Sequence, residues 1–183
     1  MDTGHFSVKY LKDEHPVTDI MKKISKDTPL AEITFRRYER PDNLSERDLV
    51  RKLCLSIGLL QPGDSRDVIV DILIVLLEAK RCNEELSSES IRENVIKTRE
   101  NRNLPMVGIA SSNIRRQIKR LRDVFIAEKI KNNYRITEFS KLSDIMEERV
   151  QQFLLPSILG RVTDYINEVD KTYFSDDDPI QKI

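Results

Sequence analysis

The stretch Ser111–Asp123, SSNIRRQIKRLRD, decides how the rest of the chain is read. Arg115, Arg116, Lys119, Arg120 and Arg122 put five basic side chains within eight positions. Ile114, Ile118 and Leu121 are threaded between them at helical spacing, and residues three and four apart share a helix face. The segment therefore predicts an amphipathic helix, its apolar face docked on a core and its cationic arc turned outward. Ser111 or Ser112 is expected to cap its start, because a side-chain oxygen there can accept a free backbone N–H.

This concentration of charge is local. The 183-residue chain carries 31 Lys/Arg and 31 Asp/Glu, so its formal net charge is zero. From Arg92 to Arg135 twelve basic residues stand against four acidic ones, and the flanks hold the compensating acid. A local field of this kind attracts polyanions even when the whole molecule is neutral. The length suits one domain with appendages, able to bury a core without disulfides. The two cysteines, Cys54 and Cys82, give neither a disulfide framework nor a zinc spacing and fit a reduced, cytoplasmic setting. The opening MDTGHFSVKYLKDEH is too polar for a signal peptide. The most apolar run, VIVDILIVLL at 68–77, contains Asp71 and is too short to span a bilayer, so it reads as a buried helix.

Working outward, Val17, Ile20, Met21 and Ile24 predict a short helix over 18–26. In TPLAEITFRRYERP (28–41), Pro29 after Thr28 and the Glu32/Arg36 spacing favour a helix, while Ile33 and Phe35 also allow a strand. Ser45 opens a helix whose face is Leu49, Val50, Leu53, Cys54 and Ile57, with Gly58 at its end. Asp64 or Ser65 is expected to cap the central apolar helix, 65–81. A helix over 88–99 turns Ile91 and Val95 inward, with Ile96 beside them, and a loop with Pro105 and Gly108 leads to the basic helix. Beyond it, Phe125, Ile126 and Ile130 precede Asn132-Asn133, and Tyr134 and Ile136 follow. That pattern predicts a hairpin, since Asn tolerates positive φ. From Ser140 to Phe174 apolar residues recur in steps of three and four, a long helix that Pro156 should kink or split near Leu155. The end, 175–183, is an acidic tail.

The order from Ser65 to Phe139 is apolar helix, second helix, loop, capped basic helix and hairpin. With the pattern SSNIRRQIKRLRDVFIAEKIKNNYRIT, it resembles the winged helix-turn-helix domain of prokaryotic transcription regulators. The stretch Arg99 to Ala110 is longer than the turn usual in that family. The resemblance implies a mainly α fold: N-terminal helical extension (1–64), winged domain (65–139) and long C-terminal dimerisation helix (140–174), though the residues alone also allow that helix to fold back on the N-terminal ones. It also implies double-stranded DNA as the partner of a homodimer. Helix 112–123 would enter the major groove, where Arg can pair with guanine O6 and N7. Ser111, Ser112 and Asn113 would sit at the positive end of the helix, and Arg115, Arg116, Lys119, Arg120 and Arg122 along it. Lys129, Lys131 and Arg135 would meet flanking phosphates from the wing at 125–137, and Arg92, Lys97, Arg99 and Arg102 would extend the positive surface.

Catalysis has little to work with. The only histidines are His5 and His15, there is no phosphate-binding glycine loop, and no Cys or His spacing suits a metal. No enzyme activity, cofactor or metal is expected. Cys54 reads as a buried small hydrophobe, and Cys82, beside Arg81 near a helix end, as exposed. The alternatives to DNA are a winged scaffold whose basic face docks an acidic protein, or an RNA-binding protein. Sparse exposed aromatics speak against single-stranded RNA, which needs stacking platforms.

Overall fold

Asp71, the charge that interrupts the apolar run, organises the fold. In the computed structural model, which describes residues 29–174, the apolar run forms helix α2, Val68–Arg81, with ten of its residues buried. The Asp71 carboxylate is fully buried among them. Arg47, in the first turn of helix α1 (Glu46–Ser56), donates from Nε to Asp71 Oδ1 at 2.9 Å and from Nη2 to Asp67 Oδ2 at 2.9 Å. Arg99, on helix α3 (Ser88–Asn101), bonds Asp71 from the other side and Asp67 at 3.3 Å. Three helices are thus tied through one carboxylate, and among the described residues no buried side-chain N or O atom lacks a hydrogen-bond partner. A buried charge survives only with such pairing.

Helix α1 begins where Ser45 accepts from the Asp48 N–H, and its end passes into Gly58 at φ +74°. A Cβ at Gly58 would lie 2.7 Å from Thr34 Cβ, so glycine is required by both space and backbone. Helix α2 starts at Val68, later than the expected 65, with Asp67 in the cap position. Asp67 makes no cap bond, because Arg47 and Arg99 take its oxygens. Strand β1 is only Leu86–Ser87, and Ser87 also caps α3 by accepting from the Ser90 N–H at 3.1 Å. Helix α4 is the quoted stretch, Ser111–Asp123. Strands β2 (Ala127–Ile130) and β3 (Asn133–Ile136) form the hairpin. β1 joins β3 antiparallel, pairing Leu86 with Tyr134, which makes a three-stranded sheet in the order β1-β3-β2. Ile114, Ile118, Leu121 and Ile136 are fully buried in the core around α2.

Several expectations are corrected. Residues 31–44 form neither helix nor strand but an irregular strap. Arg36 holds it against the end of α1, donating to the carbonyls of Leu55 at 2.9 Å and Leu60 at 3.3 Å. These tertiary bonds replace the Glu32/Arg36 pairing that favoured a helix. Helix α1 shares one core with α2, and the described residues from Ala31 to Phe174 form one unit. The hairpin turn puts Lys131, rather than Asn132 or Asn133, at positive φ (54°). The helix expected over 18–26 and the tail at 175–183 lie outside the described residues.

The long C-terminal helix starts at Leu142 and keeps a helical path throughout, without a split. Helix α5 (Leu142–Ile145) widens into a π-helical stretch, Met146–Leu154, which leads into helix α6, Leu155–Tyr173. The Leu155 N–H reaches back five residues to Val150. The next residue, Pro156, has no N–H to give and its ring crowds the carbonyl four residues earlier. The wider turn just before it accommodates both. Ile145 and Val150 are buried against the body and Leu154 is buried as well, whereas no residue of α6 is buried. Overall the described chain is mainly helical with one small antiparallel sheet. None of its helices is long and apolar enough to cross a membrane.

Candidate nucleic-acid interface

The α3–α4 connection fixes how α4 is presented. Arg99 donates from Nε and Nη2 to the Pro105 carbonyl, at 2.9 and 2.6 Å. The Leu104 N–H returns to Arg99 O at 2.9 Å, and Arg92 donates to Ile109 O at 2.9 Å. Gly108 sits at φ +83°, where a Cβ would come within 3.2 Å of Val68 Cγ1. Asn113 Nδ2 donates to Gly108 O at 2.7 Å. The loop is thus held at both ends by α3 and in its middle by the buried ion network. Arg99 is 1 % exposed and sits inside the molecule, so it does not extend the positive surface. From sequence it is indistinguishable from its solvated neighbours.

Ala110, not Ser111 or Ser112, occupies the cap position of α4, and no side chain caps it. Ser111 is the first helical residue, its hydroxyl 3.4 Å from Glu89, and Ser112 is exposed. Below, Ile114, Gln117, Ile118 and Leu121 are buried. Above, Arg115, Arg116, Lys119 and Arg122 are exposed on the opposite arc. Among the described residues none of these four pairs with a carboxylate, and the only acid on α4 is its last residue, Asp123. Arg116 bonds Asn113 Oδ1 at 2.7 Å, a neutral contact that leaves its charge uncompensated.

Not every expected residue joins this arc. Arg120 turns inward, donating to Gln117 Oε1 at 2.9 Å and to Gly58 O at 3.3 Å. Asn113 is spent on Gly108, Arg116 and Gln117. Arg135 is half-buried between Glu128 at 2.8 Å and Glu85 at 3.2 Å, with its guanidinium 4.6 Å from the Phe139 ring. It fastens β3 to its neighbours. Burial pushes Glu128 up, but the Glu138 N–H and then Arg135 outweigh this and hold its carboxyl below the ordinary value. Lys129 and Lys131 are exposed on the hairpin. Lys129 and Arg122 line one open hollow of about 390 Å³ together with Arg149 and the acids Asp123, Glu128 and Glu138. Gln117 was not foreseen. Its spacing, three residues from Ile114 and four from Leu121, sets it beside the apolar face, where it lies under the helix and bonds Asn113 and Arg120.

Away from this face, Cys54 is fully buried and Cys82 exposed, both free. Burial pushes the Cys54 thiol up to about 12. Among the described residues no group of three or more His, Cys, Asp and Glu is arranged to hold a metal ion. Comparison of the chain with protein-family models, with curated proteins and with solved structures gave no match.

Proposed function

We propose that the chain binds duplex DNA through α4 and the β2–β3 hairpin, as a winged helix-turn-helix regulator of transcription acting as a dimer through its C-terminal helix. One observation carries the reading. The exposed arc of α4 holds Arg115, Arg116, Lys119 and Arg122 without a carboxylate partner among the described residues, while Arg47, Arg99 and Arg135 are each matched by acids. Unmatched cations along the outer arc of a helix packed on the core suit a polyanion of regular geometry. An α-helix fits the major groove, and Arg there reads guanine while neighbours contact phosphate. The element order and sheet order β1-β3-β2 support the winged fold, with α4 as recognition helix and β2–β3 as wing. Ser112 and the four arc cations are the residues placed to touch DNA. Lys129 and Lys131 are placed for the flanking backbone.

The test is titration of the protein and of Arg115→Ala/Arg116→Ala with random-sequence duplex at two salt concentrations. The wild type is expected to bind at micromolar to submillimolar Kd and to lose orders of magnitude over a fourfold rise in salt, because each neutralised phosphate releases counterions. The double variant is expected to lose about tenfold or more and to show a shallower salt slope. Unchanged binding by the double variant, or none by the wild type at low salt, sinks the reading. An acidic protein partner for the same face would then take its place.

A further inference from the structure

Helix α6 carries a line of apolar side chains that no other described residue covers. Leu159, Val162, Ile166, Val169 and Tyr173 are each about half exposed or more, and Leu155 heads the same line. Their spacing from Leu155 is four, three, four, three, four, an unbroken heptad seam with Leu155, Val162 and Val169 at d and Leu159, Ile166 and Tyr173 at a. We infer that a second copy of α6 covers this seam antiparallel, in the register centred on Asp164, so that Leu155 meets Tyr173 of the second copy, Leu159 meets Val169, and Val162 meets Ile166.

The composition selects the direction. Parallel two-stranded pairs favour β-branched residues at a and Leu at d. Here two of the three d residues are Val, and Leu159 is at a. A parallel pair would stack Val on Val in two layers and Tyr on Tyr in another, leaving the seam loose in the middle and crowded at the end. The antiparallel register sets large against small and evens the layers. The flanks agree. One side of the seam is Ile158, Tyr165 and Thr172, and the other is Pro156, Thr163 and Asp170. In an antiparallel pair like flank faces like flank, so the two Tyr165 rings lie together and both Asp170 carboxylates stay on the polar side. Opposed helix dipoles favour the same arrangement. The two bodies then leave the pair at opposite ends, with the Leu155 positions ~27 Å apart along the axis at 1.5 Å per residue. This refines the dimer in the proposed function and does not depend on DNA binding.

The experiment uses full-length protein with Cys82→Ser, which leaves only the buried Cys54 thiol. Leu159→Cys, Val169→Cys and the two together are treated with a short bifunctional maleimide and run without reductant, with the mass of each measured beforehand. No α6 residue is buried in the body, so circular dichroism should show all three folded. Expected is a dimer in which the double variant crosslinks and neither single variant does, because reversal separates like positions by ~15 Å along the axis. Crosslinking of either single variant to itself would establish parallel pairing and overturn the inference. So would a monomer at micromolar concentration, or a dimer that no variant links. DNA affinity is not read, so either claim can fail alone.

Discussion

At the scale of single residues, Asp71 has the largest consequence. It is fully buried and accepts from Arg47 and Arg99. Asp71→Ala would remove the fully buried acid between Arg47 and Arg99 and leave them only Asp67, with Arg99 still inside the molecule. Removing one partner of a buried ion pair costs about 3–5 kcal/mol, so the variant should show a correspondingly reduced unfolding free energy in urea. The same residue marks where sequence reading stops. Asp71 was visible as an interruption in VIVDILIVLL, but its partners lie 24 and 28 positions away. Nothing in the spacing of Arg47 or Arg99 distinguishes them from solvated arginines, because ion-pair partners carry no periodic signature.

At the scale of elements, helices α1 to α4 and the hairpin were legible, because amphipathic spacing, caps and turn residues are local signals. The strap and β1 were not. The strap follows Arg36 and the carbonyls of Leu55 and Leu60 at and beyond the end of α1, which are tertiary partners. Two-residue β1 is too short to show alternation and exists because β3 pairs with it. Arg36→Ala should therefore cost about 1–2 kcal/mol, the range for partly exposed hydrogen bonds from a charged donor. It should also speed amide exchange at residues 31–38 while leaving α4 protected, which hydrogen-exchange mass spectrometry would detect. The cationic arc was only partly legible: helical angles placed Arg115, Arg116, Lys119 and Arg122 outward, but the inward reach of Arg120 depends on Gly58 O, on a loop distant in sequence.

At the scale of the whole molecule, stability should be greatest near neutral pH. Burial raises Asp67, but hydrogen bonds and charge from Arg47, then Arg99, hold it below its ordinary 3.8, and Glu128 lies below 4.5. A carboxylate lowered on folding contributes fully above its unfolded value and loses that contribution as pH falls through the folded one. Cys54 acts with the opposite sign. Its thiol is raised, so its contribution is complete below the unfolded value of about 8.5 and fades above it. Urea midpoints should be level from about pH 5 to 8 and fall on both sides. A midpoint that holds constant down to pH 3 would show that these carboxylates are not favourably paired.

The shared carboxylate also shapes how such a chain can change over generations. Positions 47, 67, 71 and 99 form one unit of inheritance although they are spread over α1, α3 and the start of α2. Altering any one alone strands the others, whereas replacing all of them with apolar side chains of similar volume can leave a core as stable or more so. Arg99 adds a second constraint, since it also holds Pro105 in the loop that presents α4. Descendants can therefore vary the outward side chains of α4 freely, and with them whatever the helix recognises, while the four positions of the network drift only in concert.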